Sequence, residues 1–193
     1  ANYFQHQPYL DAFNTENKTH LVSIAQVHYE PFGVYAGTKN SFDALEDGDK
    51  IAIPNDTPNR ARALLLLQDN GIITLKDGVG LDATAQDIVS KKVDVDVLEM
   101  EAAQLPQVLD SVAMAVINGN YALDSGLTAD EALYKESDYT DNSYFGLIAA
   151  RTEDAENPVY LRIVEAYQSQ KTIDIFNNEF AGFFLPAWEL DIG

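Results

Sequence analysis

The chain holds 193 residues, 46% of them hydrophobic, which suits one compact domain or two small lobes sharing a hinge and excludes a disordered chain. Twelve Lys+Arg against 31 Asp+Glu give a formal net charge of −19, a surface that repels phosphate backbones and anionic membrane faces, so nucleic acid is excluded as a partner. With no cysteine there are no disulfides, thiolate metal sites or thiol nucleophiles, and no apolar run approaches the ~20 residues of a membrane span.

Tyr3 to His6 is predicted as a short strand, and Pro8 opens a helix through about Asn14, where the missing N–H of proline does no harm. HLVSIAQVHYEPFGVYAG (20–37) contains two extended stretches broken at Pro31, rich in Val, Ile, Tyr and Phe. A short helix capped by Ser41 and stopped at Gly48 leads to a buried-type strand, Lys50–Ile53. TPNRARALLLLQDNG (57–71) is the clearest helix: Thr57 as cap, Pro58 in the first turn, four leucines for its apolar body and Gly71 as its stop. DATAQDIVSK is expected as a second helix, VDVDVLEME as a strand with period-two alternation, and EAAQLPQVLDS as a helix interrupted at Pro106. MAVING (114–119) and YFGLIAAR (144–151) are strands. Helices near 158–168 and 170–180 close the chain, the first with Val159, Ile163, Val164 and Tyr167 on one apolar face.

Strands alternating with helices predict an α/β fold with mostly parallel sheets, and the polar loop 134–143 is a candidate crossing between two lobes. Ligands of open α/β sheets gather at the carboxyl ends of strands, which singles out IPND, AVIN and YFQH.

Arg62 sits in the first turns of the leucine helix with Asn59 beside it. Free N–H groups and the helix dipole there favour an anion, and a guanidinium adds a planar fork matched to a carboxylate. The plainer alternative is a surface arginine pairing with Asp56 or Asp69; Arg60, pointing elsewhere on the helix, reads as a solvated arginine. Asn118 closes a buried strand before Gly119, either as turn chemistry or as an amide offered to a ligand. His6 and His28, with Glu30 as a third ligand, form no metal-binding array. No nucleophile elbow, P-loop or dinucleotide fingerprint is present, so neither catalytic residues nor a cofactor are expected. Tyr3, Phe4, Tyr29, Phe32 and Tyr35 crowd the first 35 residues, where rings either pack a core or line an apolar pocket.

NYFQHQPYLDAF, VHYEPFGVYAG, IAIPNDTPNRARALLLLQDNGIITLKDGVG and LEMEAAQLPQVLDSVAMAVINGNYA together resemble the NlpA-type methionine-binding lipoproteins, substrate-binding components of bacterial methionine ABC importers. The resemblance implies a two-lobed type II periplasmic-binding fold with an interlobe cleft for a free amino acid. Residues 1–37 and 143–193 would form the first lobe and 38–142 the second. It implies ligand contacts from Tyr3, Phe4, His6 and His28, a carboxylate clamp at Arg62 with Asn59, and an amide at Asn118. Gly146 falls where the family carries an asparagine, which implies one lost amide and a space of about one side chain.

L-methionine is then the first expected ligand, followed by another hydrophobic amino acid or a methionine-containing dipeptide. The partners implied are ABC permease subunits. Family members carry a lipobox signal and two strand–helix units before the YFQH strand, so the resemblance implies a preceding segment and a membrane link only through a lipid anchor outside this chain, on the extracytoplasmic side. The alternative is an enzyme or regulator effector module on the same two-lobed fold, such as an amino-acid dehydratase. A dehydratase needs a placed acid or hydroxyl and a regulator an attached basic helix pair, and the sequence supplies neither.

Overall fold

The first helix begins where a histidine stands before Gln7 and Pro8. In the computed structural model, which describes residues 1–136, 142–180 and 182–190, β1 (Asn2–Tyr3) is followed by α1 (Gln7–Asn17). His6 is extended at φ −99° and caps this helix, its Nδ1 accepting the Tyr9 N–H at 3.2 Å. The expected strand Tyr3–His6 is shorter in the structure, and His6 serves the helix as its cap. β2 (Leu21–Tyr29) follows, and the chain then enters a second unit.

That unit opens with β3 (Gly33–Ala36), a 3₁₀ turn at Phe42–Ala44 and β4 (Lys50–Pro54). α2 (Thr57–Asp69) is capped by Asp56 rather than Thr57, the carboxylate accepting the Asn59 N–H at 3.1 Å. Then come β5 (Ile73–Leu75), β6 (Ile88–Lys91) and β7 (Asp96–Met100). The helix expected over DATAQDIVSK is a single 3₁₀ turn, Ala85–Asp87, running into β6: Thr84 and Asp87 close a capping box, and the β-branched Ile88 and Val89 continue as strand. Ala102–Ser111 is 3₁₀ throughout, accommodating Pro106. β8 (Met114–Ile117), α3 (Gly119–Asp124) and β9 (Ala132–Lys135) complete the unit. The chain then returns through β10 (Gly146–Arg151), α4 (Pro158–Tyr167), α5 (Gln170–Glu179) and β11 (Leu185–Pro186). Of the polar loop 134–143, residues 137–141 lie outside the described residues.

The sheets are mixed, not mostly parallel. In the first unit the strand order is β1-β10-β2-β11 and every pairing is antiparallel. β1 and β2 flank α1 and run parallel to each other, as a helical crossover requires, but β10 returns from the other unit and lies between them in the opposite direction. The second unit has the order β7-β4-β8-β3-β9, with β4 parallel to β7 and β8 while β3 is antiparallel to β8 and β9. β5 and β6 form a separate antiparallel pair. Alternation along the sequence predicts neighbours joined by helices and is blind to strands that arrive from the other unit.

The compact units are Ala1–Glu30 with Ser137–Gly193, and Pro31–Glu136. Gly33–Ala36, placed in the first lobe by the expected boundary at 37/38, takes both its partners, β8 and β9, from the second sheet and so belongs to the second unit. In the second unit Ile51, Ile53, Leu64, Leu67 and Phe32 are fully buried in one core, each aliphatic side chain contributing roughly 1.5–3 kcal/mol. The first unit packs Val27, Ile148 and Phe176 with Val164, Tyr167, Phe184 and Trp188. Val159 and Ile163 of α4 are exposed, so the predicted apolar face splits: only its Val164 and Tyr167 edge reaches the sheet.

Candidate functional site

In the first unit β1, β2 and β10 bring Tyr3, His28 and Gly146 together. Tyr3 pairs with Ile148 and His28 with Gly146 across the β10 ladders. His28 is buried, and its ring stacks on Phe184 at 4.4 Å with an interplanar angle of 30°. Tyr3 Oη lies 2.6 Å from His28 Nδ1, and Glu30 Oε2 lies 3.4 Å from Nε2. A carboxylate can only accept, so Nε2 carries a proton; in the neutral imidazole Nδ1 is then the acceptor and the Tyr3 hydroxyl donates. Burial, then the neighbouring Tyr167 and Glu30, push the Tyr3 phenol well above its ordinary range, which keeps that donor proton in place.

Gly146 does not leave a space. A Cβ there would lie 2.1 Å from His28 Cε1, 2.5 Å from Nδ1 and 2.9 Å from Nε2. The imidazole fills the volume that the sequence reading left open for a larger ligand, and that expectation is corrected. His6 caps α1 and meets Tyr144 edge-on at 5.3 Å. Phe4 is exposed at 60%, its ring 6.0 Å from Tyr9.

In the second unit Arg62 is buried on α2, 3% exposed. It is therefore not the surface arginine of the plainer sequence reading. Its Nε donates to Glu136 Oε1 at 2.9 Å and Oε2 at 3.1 Å, its Nη2 also donates to Oε2, and its guanidinium stacks over Phe32 at 4.3 Å. Arg60 is not the solvated arginine expected: its Nε donates to the Ala83 carbonyl at 3.3 Å and its Nη1 meets Glu99 at 3.4 Å. Asn59 is buried and turned onto the cap, Nδ2 donating to both Asp56 oxygens at 3.0 and 3.1 Å. Asn118 precedes α3 without capping it, and its buried Oδ1 accepts no hydrogen bond. A buried acceptor without a donor is destabilising.

The model of the NlpA lipoprotein family matches residues 1–188. This chain belongs to the NlpA lipoprotein family. The D-methionine-binding lipoprotein MetQ of Salmonella typhimurium is 40% identical over 191 residues, covering 97% of this chain and 70% of that protein. Among solved structures, a nutrient-binding protein from Burkholderia cenocepacia bound to methionine has a TM-score of 0.92 at 40% identity, over 96% of this chain and 78% of that one. An ABC-transporter periplasmic substrate-binding protein from Coxiella burnetii has a TM-score of 0.91 at 35% identity, with the same two coverages, 96% and 78%. The NlpA chain therefore has the two-lobed fold of substrate-binding proteins, in its mixed-sheet form, and its relatives are binding proteins rather than enzymes.

Within this NlpA chain, Tyr3, His28 and Gly146 form one cluster of the first unit, with His6 and Phe4 set around Tyr9. Glu136 is the residue that sequence reasoning missed, since nothing local links it to Arg62 on a helix far upstream. The signal available was indirect: a buried arginine requires a counter-charge. Among the described residues no group of three or more His, Asp or Glu could hold a metal ion, and no helix is long and apolar enough to cross a membrane.

Proposed function

We propose that this NlpA lipoprotein is the extracytoplasmic solute-binding component of an ABC importer and captures methionine or a related hydrophobic amino acid for its permease. The observation that carries the reading is the buried Arg62 in a chain related along its length to methionine-binding proteins. A guanidinium on a helix close behind its N-terminus suits an α-carboxylate. Asn118, with a buried carbonyl oxygen lacking a donor, suits an ammonium group. Tyr3, Phe4, His6 and His28 supply ring faces and edges suited to a thioether. Asn59 supports the helix start beside Arg62, and Gly146 acts by admitting the His28 ring. Membrane attachment is through a lipid on the lipoprotein.

The test is to denature the purified protein and identify the released small molecule by mass spectrometry, alongside calorimetry with L- and D-methionine. Methionine or another hydrophobic amino acid is the expected result. Recovery of a sugar, a metal chelate or a polyamine overturns the reading.

A further inference from the structure

We propose that Glu136 is a positioning residue that presents the Arg62 guanidinium to a ligand carboxylate, an inference that rests on the amino-acid reading above. A cation as buried as Arg62 needs both a counter-charge and a fixed orientation. Glu136 supplies the two together. Its carboxylate takes Nε at 2.9 and 3.1 Å and also accepts from Nη2, and donors along one edge of a planar fork fix the plane of that fork. Phe32 holds the face of the same guanidinium at 4.3 Å.

A carboxylate in this place could be a brace, or a placeholder that the ligand's own carboxylate displaces. The backbone decides for the brace. The Glu136 N–H donates to the Phe32 carbonyl at 2.9 Å, and Glu136 Oε2 accepts the Phe32 N–H at 3.3 Å. Phe32 is fully buried. A departing carboxylate would weaken the satisfaction of that buried N–H and remove its charge from the guanidinium in one step. Phe32 and Glu136 also stand at the two ends of the second unit, which spans Pro31–Glu136, so the brace is anchored where the chain enters and leaves it.

The experiment titrates the chain and its Glu136→Gln variant with L-methionine and with L-methioninamide, which keeps the amine and thioether but has no carboxylate. Glutamine retains a carbonyl that can accept from Arg62 and Phe32, and thermal melts separate a loss of folding from a loss of binding. Glu136→Gln should weaken methionine binding by roughly 30-fold or more, the scale for breaking a buried hydrogen-bonded charge pair, and leave methioninamide binding unchanged. Phe32→Leu, which removes the stacked face and keeps the carboxylate, should give a smaller loss of the same kind. Equal losses on both probes, or methionine binding in Glu136→Gln unchanged from a wild type that binds it, overturn the proposal alone. Tighter methionine binding in Glu136→Gln assigns the placeholder role and also overturns it. A wild type that binds no methionine or other amino acid overturns the functional reading, and this proposal with it.

Discussion

The His28 imidazole occupies the volume into which a side chain at Gly146 would project: a Cβ at that position would stand 2.1 Å from His28 Cε1. The ring has little freedom to yield, being stacked on Phe184 and hydrogen-bonded to Tyr3. Gly146→Ala should therefore destabilise the first unit by about 1–3 kcal/mol, the usual cost of overpacking, and weaken ligand binding with it. Pairing Gly146→Ala with His28→Ala should recover much of the melting temperature lost by Gly146→Ala. A double-mutant cycle on thermal melts measures this coupling, and strictly additive effects would show that the two positions do not share one space.

Arg62→Ala should abolish amino-acid binding, with a loss of roughly 2–5 kcal/mol in affinity as read by calorimetry. It also removes the guanidinium from Glu136, so a lower melting temperature is expected beside the binding defect. Arg60→Ala is the comparison: its contacts are one carbonyl and one acidic partner, and the change should cost about 0–1 kcal/mol in stability and leave binding unaltered. Near-wild-type affinity in Arg62→Ala would place the carboxylate elsewhere.

Much of this architecture could be read from short-range pattern. Pro58 and the leucine run mark α2, although the cap proved to be Asp56, one residue earlier. Helix starts are legible because their hydrogen bonds close within three or four residues. What was not legible depends on partners far along the chain. Glu136 reaches Arg62 across 74 positions, and β10 turns the first sheet antiparallel by entering from the other unit. Gly146 read as the removal of an amide, because its meaning lies in a ring on β2 that crosses over it. Arg60 and Arg62 meet different partners, and both are held by the fold. Helical angle predicts direction but not what stands in that direction.

The Tyr3 phenol gives a pH signature. Its folded value is raised, so the stability from keeping it neutral is fully present below the ordinary phenol value of about 10 and is lost as pH rises through the higher folded value. Ultraviolet titration should show Tyr3 ionising after exposed tyrosines, close to alkaline unfolding. Tyr3→Phe should remove this late component, and it should lower stability at neutral pH by about 0.5–1.5 kcal/mol through the lost bond to His28 Nδ1. A Tyr3→Phe titration curve matching wild type less one ordinary tyrosine would contradict the burial argument.

Asn118 separates a binding role from a folding role most directly. Its Oδ1 is buried without a donor, and the side chain makes no cap to α3. Removing an unsatisfied buried acceptor relieves a penalty of roughly 1–3 kcal/mol. Asn118→Ala should therefore melt at or above the wild-type temperature without ligand. If that oxygen accepts from the ligand's ammonium group, the same substitution should weaken amino-acid binding by roughly 1.5–3 kcal/mol, the range for a hydrogen bond to a charged group. The two readouts move in opposite directions, which no general loss of structure can produce. A fall in melting temperature with unchanged affinity would instead assign Asn118 to the architecture of the β8–α3 turn.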